Sequence, residues 1–199
     1  MLTADTLRGK VRQWADGTWL KDMRFACSDG VYAQAIENFA ADYARWYPAD
    51  DEIDLAKLEH TPQLIAVLMY RIARLLYLEG CEPWAADEFS LLGREIGHCE
   101  LYYSASIGSG FKINHGLGTV VGARSTIGDN CTIHQGCTLG DRAGGRPTVG
   151  NNVMIYAGSS ILGDIHIGDN SVIGANSLVI GNFPAGSVIA GSPAKILHK

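Results

Sequence analysis

His115 is the residue whose type and setting best suit chemistry on a hydroxyl group. It lies in the segment INHGLGTVVG, residues 113–122, with Gly116 directly after it, where a backbone can approach closely. The pKa of imidazole lies near neutral pH, so a histidine can take the proton of a hydroxyl as a general base. A lone histidine is more often a packing or surface residue, but the residues around this one favour catalysis.

A six-residue repeat in the C-terminal half must position His115. Twelve aliphatic residues open successive units, and nine of the eleven steps between them are six residues long. A strand would show a period of about 2 and a helix a period of about 3.6, so neither explains the pattern. The twelve openers are Ile107, Ile113, Val121, Ile127, Ile133, Leu139, Val149, Ile155, Ile161, Ile167, Ile173 and Val179.

This repeat predicts a parallel β-helix in which one hexapeptide forms one side and three form a coil. Twelve units then make about four coils, with the aliphatic side chains stacked inside. Glycine often follows the opener directly, with Asn or Asp next, which predicts tight corners with positive φ. The two longer steps, around Gly118 and within residues 141–147, predict loops that leave the solenoid, where function tends to be located. Small residues four places after the opener fit the narrow interior: Ser125, Cys131, Cys137, Ser159, Ser171 and Ser177.

The first half of the chain predicts helices instead. Only six of the 24 glycines fall in residues 1–98, so we place a helical domain at 1–98 and a β-helix domain at 99–199. Apolar residues at helical spacing follow Asp29, and a second apolar helix begins after Thr61 and ends near Gly80. Shorter helices are expected near residues 4–15 and 84–97. The predicted fold class is therefore α+β, with the helical domain preceding the solenoid.

Composition excludes several classes of protein. The 199 residues carry a net charge of −5, and the absence of a basic excess argues against a nucleic-acid partner. The longest apolar run, Leu64–Tyr70, is far shorter than the roughly 20 residues that span a bilayer, and the N-terminus has no apolar signal region. Five dispersed cysteines without a C-x-x-C pair favour a reduced, cytoplasmic setting.

These motifs resemble those of the hexapeptide-repeat acyltransferases, and within them the serine O-acetyltransferases. The similar segments are the stretch around His115, residues 138–147, the C-terminal AGSPAK at 190–195, and the helix around Arg71. The resemblance covers residues 65–199. It implies left-handed winding of the β-helix, acetyl-CoA as the acyl donor, no metal, and a place in cysteine biosynthesis.

The resemblance also assigns catalytic roles. It makes His115 the general base, and it places Glu100 where the family has an aspartate, fifteen residues before the histidine. A carboxylate there would fix the imidazole tautomer and support the imidazolium. Glu100 lies nearly one 18-residue coil before His115 in sequence, which predicts a contact between the two.

The acceptor site departs from the family pattern. Asn114 stands where the family has a substrate-binding aspartate. The loop of residues 141–147 is four residues shorter, and Arg146 replaces a histidine. A guanidinium can hold a carboxylate or phosphate through two hydrogen bonds. Both changes make the pocket more positive, so we expect an acceptor with an anionic group, and weaker binding of a free amine than in the family.

The acyl donor has its own matching positions. In the family the pantetheine arm passes small residues along a cleft between subunits, and the matching residues here are Ala157 and Ala175. Gly191, Ala194 and Lys195 match the tail that closes over the nucleotide, where the lysine could meet a CoA phosphate. Because the cleft is shared, we expect a homotrimer, with a hexamer as the alternative.

The leading function is thus an acetyl-CoA-dependent O-acetyltransferase acting on L-serine or a related small amino acid derivative. Another acceptor, such as a sugar or natural-product hydroxyl or amine, stays open. A further alternative is a non-catalytic β-helix that serves assembly. Zinc carbonic anhydrases also use this β-helix and need three converging histidines. The segment IHQGCT at 133–138 faintly resembles them, but no matching H-x4-H pair follows.

Overall fold

The computed structural model describes residues 2–198 and divides into two compact units. The first unit ends at Tyr103 and the second begins at Ser104. The domains at 1–98 and 99–199 stay a prediction, and their outermost residues, Met1 and Lys199, lie outside the described residues.

The first unit is helical, as the sequence predicts. The expected helices form where they begin with a capping residue or a proline: Thr3 and Ser28 accept hydrogen bonds from the first turns of α1 and α2, and α4 and α5 start at prolines. The short helix α3, capped by Asp54, was not predicted. The helices are α1 (Ala4–Asp16), α2 (Asp29–Ala44), α3 (Leu55–Glu59), α4 (Pro62–Leu78) and α5 (Pro83–Gly97).

Helix α4 forms the centre of this unit. Eleven of its residues are buried, and a Cβ on Gly97 of α5 would lie 2.5 Å from the Cβ of Ala66, so these helices pack closely. Arg71 of α4 is buried with a fully buried carboxylate on α2, Asp42. Its Nε and Nη2 donate to the two carboxylate oxygens at 2.8 and 2.9 Å. The pair fixes α2 against α4.

The second unit is a parallel β-solenoid of about four coils. Three sheets form its sides, with strand orders β11-β8-β5-β2, β14-β12-β9-β6-β3 and β4-β7-β10-β13; a final antiparallel strand, β15, extends the second sheet. The first strand, β1 (Glu100–Leu101), precedes this unit. The others are β2 (Ser106–Ile107), β3 (Lys112–Ile113), β4 (Val120–Val121), β5 (Thr126–Ile127), β6 (Thr132–Ile133), β7 (Thr138–Gly140), β8 (Thr148–Val149), β9 (Met154–Ile155), β10 (Ser160–Leu162), β11 (His166–Ile167), β12 (Val172–Ile173), β13 (Leu178–Val179), β14 (Val188–Gly191) and β15 (Ala194–His198).

The strand register confirms the stacking of the aliphatic residues. All twelve openers are at most 6% exposed, and the six predicted small residues are at most 2% exposed. One column runs Ile113, Ile133, Ile155, Ile173 and Ile189, each paired with the next. Some of these pairs have an insertion between them and others do not. Coils of different length therefore stay in register.

The corners differ from the prediction in one respect. Positive φ falls on the third residue after the opener, as at Asn130, Asn152 and Asn170, with φ between 54° and 57°. The glycine directly after the opener was expected to share it, and this expectation is wrong. Gly128, for example, has no positive φ, but a Cβ there would lie 2.7 Å from the carbonyl carbon of Gly150. Glycine is needed at that position because neighbouring coils approach closely.

Two further properties concern membrane-spanning helices and the state of the cysteines. Within residues 2–198, no helix has both the length and the apolar character needed to cross a bilayer. The cysteines are free thiols, and burial raises the pKa of Cys99 to about 12.

Candidate functional site

A tight turn carries His115 out of the regular coil. The N–H of Gly116 donates to the carbonyl oxygen of Asn114 at 2.9 Å, and that of Leu117 donates to the carbonyl oxygen of His115 at 3.0 Å. His115 has φ of 66°, so the first of these three-residue turns is a γ-turn with positive φ at its centre, a strained form. The side chain of His115 is exposed. The backbone at His115 is thus strained, and its imidazole lies at the surface. Strain of this kind is common at functional sites.

The predicted CoA-binding residues lie in line with His115. The strand register places Gln135, Ala157, Ala175 and Gly191 in the same column, because each is the second residue after a paired isoleucine. We call this column the donor edge. Its two alanines leave room beside the coil, and Gln135 lies between them and His115. Among the described residues, the Oε1 of Gln135 is buried without a hydrogen-bond partner.

A second column, one residue earlier in each coil, runs beside the donor edge. Asn114 Nδ2 lies 3.3 Å from His134 Nε2, and the rings of His134 and Tyr156 stack with centroids 5.1 Å apart and an interplanar angle of 29°. We call these three residues the polar ladder. Burial, and then the charge of nearby His115, lower the pKa of His134.

Sequence reasoning gave Asn114 a role but missed His134 and Tyr156. Both directly follow a paired isoleucine, so counting repeat units, rather than a fixed 18 residues, would have aligned them with Asn114. The insertions lengthen the spacing from Asn114 to His134 to 20 residues, and that from His134 to Tyr156 to 22 residues.

The loop arginine, Arg146, already makes hydrogen bonds and an ion pair within the protein. Arg146 Nε donates to the carbonyl oxygen of Ala123 at 2.9 Å, and Nη1 donates to that of Gly145 at 3.0 Å and pairs with Asp141. Its side chain is 20% exposed. The guanidinium is therefore held in the loop with part of its charge balanced, and an anionic ligand would have to share it with Asp141.

Glu100 lies in the first unit. Its side chain is 34% exposed, and its Oε2 lies 3.7 Å from Nη1 of Arg94. It lines a small cleft of about 90 Å³ with Asp87 and Tyr102. Since His115 belongs to the second unit, the pairing of Glu100 with His115 stays a prediction.

The C-terminal tail forms a hairpin. Strand β14 turns at Gly191, with φ of 105°, and β15 returns antiparallel, so that Gly191 pairs with Ala194 and Ala190 with Lys195. The side chain of Lys195 is exposed. This hairpin continues the sheet that holds the donor edge, so all five predicted CoA-binding residues lie on or beyond that edge.

A metal centre was not expected. Across the described part of the chain, no group of three His, Cys, Asp or Glu side chains is arranged to hold a metal ion.

Known proteins match both the repeat and the fold. The family models bacterial transferase hexapeptide (six repeats) and hexapeptide repeat of succinyl-transferase match residues 146–181 and 118–157. The serine acetyltransferase of Helicobacter pylori is 40% identical over 142 residues, which span 69% of this chain and 82% of the relative.

Solved structures agree with these matches. The serine acetyltransferase of Neisseria gonorrhoeae covers 100% of this chain and 80% of its own, with a TM-score of 0.81 and 29% identity. Its complex with serine covers 85% and 74%, with a TM-score of 0.74 and 31% identity. A serine acetyltransferase in complex with CoA covers 82% and 70%, with a TM-score of 0.72 and 32% identity. With a hexapeptide solenoid, a histidine raised at its edge and this identity over most of a relative's length, the chain belongs to the serine acetyltransferase family.

Proposed function

We propose that this chain transfers the acetyl group of acetyl-CoA to the hydroxyl of L-serine. The observation that carries the proposal is the alignment of exposed His115 with Ala157 and Ala175 on the donor edge. An acyl donor lying along those small residues would bring its thioester toward the imidazole. Support also comes from related structures that hold CoA and serine.

In the proposed mechanism His115 acts as general base. Its imidazole takes the proton of the serine hydroxyl as the oxygen attacks the thioester carbonyl carbon. The tetrahedral intermediate then expels the CoA thiolate, which takes up the proton from the His115 imidazolium and leaves the imidazole neutral again. Glu100 is proposed to hold the imidazole in the correct tautomer and to support its positive charge. Asn114 and Arg146 are proposed to contact the acceptor, and Lys195 a phosphate of CoA.

The direct test is an assay of the purified protein with acetyl-CoA and a panel of acceptors. Mass spectrometry should find O-acetylserine and free CoA in equal amounts when L-serine is the acceptor. Neutral sugars should give little product. Rapid acetylation of a sugar with no reaction of serine would favour the alternative acceptor class.

Arg146→Ala tests the proposed role of the loop. We expect KM for L-serine to rise about 5–30-fold, since a hydrogen bond to a charged group contributes about 1.5–3 kcal/mol and Asp141 already shares this arginine. Neutral acceptors should be unaffected. Arg142→Ala is the matched control, because Arg142 is an exposed arginine in the same loop. Equal effects of the two substitutions on serine would remove Arg146 from the acceptor site.

We also propose a homotrimer in the cytoplasm. Two large apolar side chains near the donor edge are exposed: that of Leu117 is 60% exposed and that of Tyr156 is 42% exposed. A neighbouring subunit in a closed ring would cover them and complete the cleft for CoA. Light scattering should give three times the 21.4 kDa chain mass, or six times for paired trimers. A monomer at micromolar concentration would contradict a shared active site.

A further inference from the structure

In the polar ladder, an uncharged ring nitrogen of His134 accepts a hydrogen bond from Asn114. The amide nitrogen Nδ2 of an asparagine can only donate a hydrogen bond, so at 3.3 Å the Nε2 of His134 accepts it. This requires the imidazole tautomer with the proton on Nδ1. Partial burial and the neighbouring His115 lower the pKa of His134, which keeps the ring neutral and able to accept near pH 7.

The other contacts of His134 hold its backbone and its ring in place. Its own carbonyl oxygen accepts a hydrogen bond from Thr119 Oγ1 at 2.9 Å, and its ring stacks on Tyr156. Thr119 belongs to the insertion that follows His115. The histidine is thus fixed from the backbone and from one ring face, while its Nε2 fixes Asn114.

Fixing Nδ2 also fixes the other end of the same carboxamide. With Nδ2 bound to His134, the amide plane is set and Oδ1 is the atom left to meet a ligand; within the described residues, it has no hydrogen bond. Asn114 directly precedes His115, and His115 is close enough to His134 for its charge to act on that ring, so the carboxamide and the proposed base belong to one local site.

We propose that His134 is a positioning residue that holds Asn114 Oδ1 ready to accept a hydrogen bond from the amino group of the acceptor. This inference rests on the proposed function and adds a basis for acceptor choice. Asn114 lacks the charge of a carboxylate, but a fixed amide oxygen still favours an acceptor that carries an N–H donor next to its hydroxyl. A mobile amide would present Nδ2 as readily as Oδ1 and would lose this preference.

The test compares L-serine with 3-hydroxypropionate, which has the same hydroxyl and carboxylate but no amino group. We expect the wild type to prefer serine by kcat/KM. His134→Phe keeps a ring that stacks on Tyr156 but cannot accept from Asn114, and it should reduce the preference about 3–10-fold. The change should lie in KM for serine, with kcat and KM for acetyl-CoA within about twofold of the wild type.

A double-mutant cycle separates positioning from general damage. Asn114→Ala should reduce the preference as much as His134→Phe, and the double variant should be no worse than Asn114→Ala alone. His134→Gln, which retains an acceptor oxygen, should recover part of the preference. His166→Phe is the matched control, because His166 is exposed on a different sheet, and should change nothing.

Two results would overturn the inference. One is a serine preference unchanged in His134→Phe, and the other is independent, multiplying effects of the two substitutions. Failure of the proposed function looks different, because the wild type would then acetylate neither serine nor 3-hydroxypropionate.

Discussion

His115→Ala should lower kcat for acetyl transfer by about 10²–10⁴-fold, the usual loss when a positioned general base is removed. The alanine variant still presents the donor edge and the polar ladder, so binding of CoA, measured by calorimetry, should stay within a few-fold of the wild type. Circular dichroism should show an unchanged solenoid, because the side chain of His115 is exposed.

The strained turn supplies an internal control for this experiment. At a φ of 66°, every residue except glycine is strained. His115→Gly should therefore lose as much activity as His115→Ala, but it should melt at a higher temperature than His115→Ala. The difference should be about 1 kcal/mol in the free energy of unfolding. If His115→Ala or His115→Gly kept near-wild-type turnover, the base would be another residue and the proposed mechanism would be wrong.

The solenoid is predictable because each of its units repeats the same physical requirement. A closed interior accepts an aliphatic residue at one position and a small residue at another, and these recur whatever lies between them. Ile133 and Ile155 are 22 residues apart, yet they pair in register because the insertion leaves the coil as a loop. The winding sense has no such local signature, and its prediction came from the resemblance alone.

The site is less predictable than the fold because it depends on contacts between coils. The stack of His134 on Tyr156 joins residues in different coils, with the shortened loop between them, and neither residue is unusual alone. The pairing of Arg146 with Asp141 in the same loop is also not predictable from the sequence, because it depends on how the loop folds back on itself. Composition indicates that an arginine is present, whereas only geometry shows how much of its charge is available.

Asp42→Ala should strongly destabilise the helical unit. The carboxylate is 0% exposed and binds two nitrogens of Arg71, whose side chain is only 9% exposed. Removing it leaves a buried guanidinium without its counter-charge, which costs about 3–5 kcal/mol in such pairs. All four tryptophans lie within residues 14–84, so their fluorescence during urea unfolding follows this unit selectively.

The comparison that isolates burial is Asp5→Ala. Asp5 also pairs with an arginine, Arg8, at 3.6 Å, but its side chain is 94% exposed, and such pairs contribute at most about 1 kcal/mol. A second variant, Asp42→Leu with Arg71→Met, removes both charges and should recover much of the lost stability, because well-packed apolar residues can replace a buried ion pair. Equal urea midpoints for Asp42→Ala and Asp5→Ala would mean that water reaches Arg71, and that apolar packing, rather than this ion pair, holds α2 against α4.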